Sequence, residues 1–415
     1  MDIPEAKLKL KSLFNLDESN RFFNIELKLA EHLDRIAEQG LKVDVKKLDD
    51  TISRLQRKLI AQQLLISSKV KHPIQVGSQK QLSAYLFDER GFESVFSTPN
   101  GKRSCADAAI EKFSSDPVVA MIKDWKTKRA TLGYLLGIKN FLKGDRVQTH
   151  FVHWKAITGR IYCQDYNIQQ LPPEGRACII PDEGKVFLNV DYSAIEMRLL
   201  FSIAQQTDMF DPILDKLDIH SLTYSRMKNK PYEEVTDEER RTGKILNFGI
   251  CYGTSPYSLS NRLSITPLEA KELILDYFRT YDKVSAWMTT VRRFAKQHNY
   301  IENYFGYRRD LTKDFEQDYR TAYRMAVNGH IQSTAACILK LALEKLIDLN
   351  CKDISLTPAI LHDSVLLSVN KGMDSVFRSK IEEIVRDCME FQFPDWIRLE
   401  VDMQWSDKNW EEAAK

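Results

Sequence analysis

Net charge is nearly absent from this chain: 60 Lys and Arg stand against 58 Asp and Glu, a formal +2. Total charge therefore selects no class of partner. The seven cysteines are scattered, and no two of them form a C-x-x-C pair. That spacing excludes a disulfide framework and the usual zinc modules, and it fits a reducing compartment. No apolar run approaches the length of a membrane span, and the N-terminus, MDIPEAKLKLK, has no apolar signal core. A soluble, intracellular protein without membrane contacts is expected. Internal repeats and low-complexity segments are also lacking. What remains is a chain of 415 residues, 43% of them hydrophobic, long enough for two or three subdomains.

Charge is uneven along the chain. From Lys42 to Lys80 nine cations face only Asp44, Asp49 and Asp50, and from Lys123 to Arg146 seven face Asp124 and Asp145. Such local excess suits a phosphate backbone as well as it suits a solvated helical face. Apolar residues Leu48, Ile52, Leu55, Leu59 and Ile66 mark one stripe of a long helix. Val118, Met121, Trp125, Leu132 and Leu135 mark another over about 117–142, and the two are expected to pair antiparallel with their lysines outward. Residues 72–104 between them are polar and turn-rich, a tip or small subdomain. An earlier helical pattern, IELKLAEHLDRIAEQ, stops at Gly40.

The most informative stretch is Thr236 to Gly253, TDEERRTGKILNFGICYG. Thr236 and Glu239 have capping-box spacing, so a helix starts here. Arg240, Lys244, Phe248 and Tyr252 recur every four residues, drift about 40° per step and share one face. Two cations followed by two aromatics suit a triphosphate and then a base and sugar. An amphipathic helix with a solvated basic face is the plainer alternative. Thr266, Pro267 and Glu269 announce a second capped helix. YIENYFGYRRDL reads as a hairpin, and 317–349 as a long helix carrying Arg324, Asn328 and Gln332 at four-residue intervals.

Two apolar runs carry carboxylates. KVFLNVDYSAIEMRLLF reads as a buried strand with Asp191 at its end and a helix directly after it. TPAILHDSVLLSV reads as a β-hairpin with His362, Asp363 and Ser364 at its turn. If these strands lie side by side, Asp191 and Asp363 converge at a sheet edge. Two carboxylates beside a triphosphate are a natural place for Mg²⁺, and a pair of ions there clamps an in-line displacement, with Lys244 placed to protonate or screen the leaving group. A surface-turn aspartate is the plainer reading of either residue alone.

The motifs VDYSAIEMR (190–198), RRTGKILNFGICYG (240–253) and LHDS (361–364) together resemble the polymerase part of family A DNA polymerases, the group that includes the Klenow portion of bacterial DNA polymerase I. TGRIYCQDYNIQQLP (158–172), DIHS (218–221), FGYRR (305–309) and RMAVNGHIQSTAA (324–336) support the resemblance, which runs colinearly from about residue 20 to the end. It implies an α+β right hand: a lead-in over 1–41, a helical thumb over 42–150, a palm with an antiparallel sheet over 151–204 and 324–415, and helical fingers over 205–323 with the nucleotide-binding helix at 237–253. The fingers are then expected to close over the incoming nucleotide.

The resemblance also implies site roles. Asp191 and Asp363, with the Tyr192 backbone carbonyl, match metal ligands for two Mg²⁺, with Mn²⁺ as a substitute. Arg240, Lys244 and His220 match phosphate contacts. Phe248 matches the residue packed on base and sugar, its lack of a hydroxyl implying discrimination against dideoxynucleotides. Tyr252 matches the template-side stacking residue and Glu196 the gate against a ribose 2′-hydroxyl. Arg160, Asn167, Gln169, Arg324, Asn328, Gln332 and His362 match contacts to primer and template. The implied activity is dNTP addition to a primer 3′-hydroxyl by a monomer in the cytoplasm, at the nucleoid or in a phage-infected cell, with an organelle left open.

Two departures stand out. Ser364 occupies the position at which the family usually carries Glu, so weaker metal affinity or an altered metal preference is expected. About twenty residues precede the matching region, too few for a proofreading exonuclease, so an enzyme without proofreading is expected. The alternatives are a phage-type single-subunit RNA polymerase, whose second motif is often HDS, and a catalytically degenerate primer-template binding module.

Overall fold

The computed structural model describes residues 22–414 apart from 95–99, 154–155, 373–374 and 394. Expectations for residues 1–21 lie outside the described residues. The principal elements, in chain order, are α1 (Lys28–Gln39), α2 (Val45–Lys69), α3 (Pro117–Asn140), β1 (Lys185–Tyr192), α4 (Ile195–Ala204), α5 (Ile219–Lys228), α6 (Asp237–Cys251), α7 (Pro256–Leu263), α8 (Pro267–Thr280), α9 (Asp282–His298), α10 (Tyr319–Asp348), β2 (Ile354–Leu361), β3 (Ser364–Asn370), α11 (Ser375–Met389) and β4 (Val401–Ser406). Among the described residues no helix is long and apolar enough to cross a membrane.

β1 to β4 form one antiparallel sheet in the order β4, β1, β3, β2. β3 is buried over nearly its whole length, which is why VLLSV reads as a continuous apolar run instead of alternating. The edge strand β2 contains Pro358, which cannot donate to a ladder. The register slips there, so that residues 357–359 oppose Leu366 alone. Thr357 Oγ1 fills the gap, donating to the Leu366 carbonyl at 2.7 Å and accepting from the Ala359 N–H at 3.2 Å. This bulge lies just ahead of the two-residue turn His362–Asp363 and sets how that turn leaves the sheet.

α2 and α3 pair antiparallel, as the contacts from Gln62 to the Met121 carbonyl, Trp125 to the Leu59 carbonyl and Lys139 to Asp49 require. The stripe Leu48, Ile52, Leu55, Leu59 and Ile66 is buried, whereas Met121 and Trp125 are only half-buried. At the far end Ile74, Val76, Leu82, Leu86 and Phe87 build a small separate core with Val119 and Ile122. At the near end three two-residue strands, Leu41–Lys42, Leu142–Lys143 and Arg146–Val147, tie the pair to the main body.

Behind the sheet Glu26 accepts from Lys340 Nζ at 2.8 and 2.9 Å and pairs with His153 Nδ1 at 2.7 Å, and Lys340 also donates to the His153 carbonyl at 2.6 Å. All three residues are buried. Burial alone would raise the Glu26 pKa, but the His153 hydrogen bond and the charge and hydrogen bond of Lys340 bring it down to about 2.

Candidate active site

β1 ends with Asp191 and Tyr192, and the chain then turns through Ser193 and Ala194 into α4. Ala194 has φ 50°, a left-handed conformation that costs a non-glycine residue about 1 kcal/mol. The buried Arg198 holds this turn: its guanidinium donates to the Ser193 carbonyl at 2.8 Å and the Arg398 carbonyl at 2.6 Å, and it meets Glu400 at 2.9 Å. Asp363 arrives from the neighbouring strand. Ser364 sits opposite Asp191 in the ladder, and the Tyr192 N–H donates to the Asp363 carbonyl at 3.0 Å. The two carboxylates therefore meet at the ends of the two central strands. The sequence placed them at a sheet edge; the edge is in fact β2 and β4, because the hairpin partner of β3 lies outside it.

A third carboxylate stands beside them. Asp402 on β4 is the cross-strand partner of Asp191 and accepts from Ser193 Oγ at 2.5 Å. Asp191 is exposed to solvent on one side, yet protein mass surrounds it on its others. That burial, then Asp363, then Asp402 push its pKa up to about 7. Burial also raises Asp363, against the lowering effect of His362 and Arg160. A site that resists ionising both carboxylates calls for added positive charge. The donors are all hard oxygens, which fits Mg²⁺ or Mn²⁺, although among the described residues no group of three or more His, Cys, Asp or Glu is arranged to hold an ion by itself.

Glu196 lies on the first turn of α4, nearly buried. Arg160 Nη2 donates to it at 2.5 Å and the Tyr252 hydroxyl at 2.8 Å. Burial raises the Glu196 pKa despite both partners, and burial followed by the Glu196 charge lifts Tyr252 to about 12. These three side chains form one wall beside Asp363.

The facing wall is α6. Its capping box is present as the spacing required: Thr236 Oγ1 accepts from the Glu239 N–H, and the Glu239 side chain accepts from the Thr236 N–H. Arg240 and Phe248 are half-buried and Lys244 is exposed, while Leu246 and Ile250 are buried behind them. The helix stops at Cys251, so Tyr252 is its C-cap and not its last turn. Gly253 follows with φ 64°, and Arg324 from α10 packs where a Cβ would be.

α5 lies against α6 at very short range. A Cβ on Gly243 would stand 2.1 Å from the His220 carbonyl oxygen. This close approach brings the buried His220 to the Arg240–Lys244 face, its ring 5.5 Å from that of Phe248. Asn247 Nδ2 donates to His220 Nδ1 at 3.1 Å, so in the neutral ring the proton sits on Nε2. Burial, Arg240 and Lys244 lower the His220 pKa against the pull of Asp218. A cleft of ≈ 580 Å³, lined in part by Ser193, Asp218, His220 and Asp402, runs from this cluster to Asp402, the cross-strand neighbour of Asp191.

The remaining residues singled out from the sequence are more dispersed. Gln169 donates its amide hydrogens to the Ile161 and Ile360 carbonyls at 3.0 and 2.7 Å, which ties its loop to β2 beside His362. Asn167 caps the short turn Ile168–Gln170. On α10 Arg324 is exposed, Asn328 half-buried and Gln332 buried. Sequence reasoning missed Asp402, Asp218 as a partner of Arg240, and Gly243. Alternation in LEVDMQW pointed to a strand with Asp402 on its polar face, and DIHS already contained Asp218.

An antiparallel sheet that presents paired carboxylates at its strand ends, joined to the helical pair α2–α3 and to the helices α5 to α9, has the architecture of a right-hand polymerase. The chain belongs to DNA polymerase family A, whose profile matches residues 45–412. It is 29% identical to DNA polymerase I of Caldicellulosiruptor bescii over 92% of this chain and 47% of that protein. It is 30% identical to the thermostable DNA polymerase I of Thermus thermophilus over 91% of this chain and 47% of that one. The chain thus spans about half the length of the curated relatives it matches. The POL domain of Pol1 from M. smegmatis, solved in complex with DNA primer-template and dNTP, superimposes with a TM-score of 0.86 at 27% identity, over 94% of this chain and 71% of that one.

Proposed function

We propose that this chain is a template-directed DNA polymerase that adds dNTPs to a primer 3′-hydroxyl by two-metal-ion nucleotidyl transfer. The observation that carries the reading is the meeting of Asp191 and Asp363 at the ends of paired strands, each raised in pKa. The M. smegmatis domain, whose structure holds primer-template and dNTP, supports the same partners here.

Asp191, Asp363 and the Tyr192 carbonyl would hold two Mg²⁺, with Mn²⁺ as a substitute. When bound, the ions supply the charge that favours loss of the 3′-hydroxyl proton and neutralises the departing pyrophosphate. Arg240 and Lys244 grip the triphosphate, and Lys244 protonates or screens the leaving oxygen. His220 contributes the Nε2–H, a donor that the ring offers without a charge. Phe248 packs on base and sugar, and Tyr252 stacks on the template side. Glu196, fixed by Arg160 and Tyr252, crowds a ribose 2′-hydroxyl. Arg160, Asn167, Gln169, Arg324, Asn328, Gln332 and His362 contact primer and template, largely through backbone and minor groove, so recognition tolerates any sequence. Residues 42–150 act as thumb, 151–204 and 324–415 as palm, and 205–323 as fingers in a monomeric enzyme.

Primer extension with dNTPs and rNTPs offered separately tests the reading. Template-dependent extension with dNTPs is expected. Preference for rNTPs, or tight primer-template binding without extension in Mg²⁺ or Mn²⁺, would overturn it.

A further inference from the structure

Arg240 is not loose in the protein before any nucleotide arrives. Its Nε and Nη2 both donate to the Asp218 carboxylate, at 3.0 and 2.8 Å, a side-on bidentate pair. Asp218 is itself fixed from two directions. Its Oδ1 accepts from the Ser221 N–H at 2.8 Å as the cap of α5, and its own N–H donates to the Tyr232 hydroxyl at 2.9 Å. α5 is in turn tied to α6 by Asn247, whose Nδ2 donates to His220 Nδ1 at 3.1 Å and Thr223 Oγ1 at 3.0 Å, where the two backbones meet at Gly243 and His220. Burial would raise the Asp218 pKa, but Arg240 and the Ser221 N–H hold it below the ordinary carboxylate value, so the partner stays charged.

We infer that Asp218 is a positioning residue for nucleotide binding: it occupies the side edge of the Arg240 guanidinium and thereby aims the free end edge into the cleft where a triphosphate enters. The inference rests on the polymerase reading above and deepens it. A guanidinium has five N–H donors in one plane, and the side-on pair uses two of them. The other three point away from Asp218, already oriented. An anion next to a phosphate-binding cation has an opposing effect, because it offsets part of the attraction. Both partners are roughly one-third or more exposed, at 43% and 33%, so that attraction is strongly screened. The long arginine side chain has more to lose in rotamer freedom, so orientation wins and removal of Asp218 weakens binding.

A double-mutant cycle of Asp218→Asn with Arg240→Ala tests this. Asparagine keeps the cap on α5 and deletes the charge. The cycle is read as dNTP KM in single-nucleotide extension and as the equilibrium Kd of dGTP with Ca²⁺ in place of Mg²⁺, which needs no turnover. Asp218→Asn is expected to raise both about tenfold, with kcat within about twofold and primer-template affinity unchanged, and to add nothing once Arg240 is alanine. An unchanged or lower Kd, or an effect that persists in the Arg240→Ala background, overturns the inference. Absence of extension by the wild-type protein would sink the polymerase reading, while the Kd cycle would still decide this one.

Discussion

A methyl group at position 243 would sit 2.1 Å from the His220 carbonyl oxygen, and two opposing effects act there. In an open helix Gly→Ala gains about 0.5–1 kcal/mol from backbone entropy. Here the obstacle is backbone, which cannot rotate aside as a side chain would, and overpacking costs about 1–3 kcal/mol. The clash wins. Gly243→Ala is therefore expected to lower Tm and to raise the dNTP KM, because α5 must move His220 and Asp218 away from Arg240. Thermal melting together with steady-state kinetics checks it, and a stabilised variant with normal KM would show that the helices separate freely.

At the scale of elements, the Glu26–Lys340–His153 cluster joins the turn before α1, the segment ahead of the site and α10 into one block. Glu26 has a folded pKa of about 2 against an ordinary 4.5. A depressed carboxylate contributes its stability in full above the unfolded value and loses it as pH falls through the folded one. The window is pH 4.5 down to about 2, and the contribution above it is about 3 kcal/mol. Glu26→Gln should be clearly less stable than wild type in urea at pH 7, with the gap closing towards pH 2. A gap that stays constant across that range would contradict the assignment.

Elements differ in how far the sequence revealed them. The capped helices α6 and α8 were legible, because Thr236 with Glu239 and Thr266 with Glu269 are local signals within four residues. The hairpin turn at His362–Asp363 was legible because apolar runs bracket it. The two-residue strands at the base of α2 and α3 were not, since so short a segment shows no periodicity. Asp402 and Asp218 escaped for a different reason. Alternation in LEVDMQW marks a strand but not its register against β1, and the Asp218–Arg240 pair forms across 22 positions with no spacing to read. Tyr252 was read as the continuation of a stripe, whereas Gly253 ends the helix before it.

On the scale of the molecule, the chain lays down β1, leaves for more than a hundred mostly helical residues, returns with β2 and β3 on one side of it, and closes the other side with β4. Asp191 thus waits on one visit to the sheet for Asp363 on the next, and α6 is laid down in between. Basic side chains Lys46, Lys47, Arg54 and Arg57, with Asp44 and Asp50 among them, line a surface groove on α2. These cations lie on a different element from Asp191 and Asp363, so the carboxylates can be removed with the groove left intact.

That separation allows the most direct test of the central claim, that Asp191 and Asp363 act as one cation-holding pair in nucleotidyl transfer. Primer extension and primer-template affinity are measured side by side for wild type, Asp191→Ala and Asp363→Ala. The account predicts that extension falls by at least about 10³-fold in each variant while the affinity for primer-template stays within about threefold. Extension near the wild-type rate in either variant would contradict it.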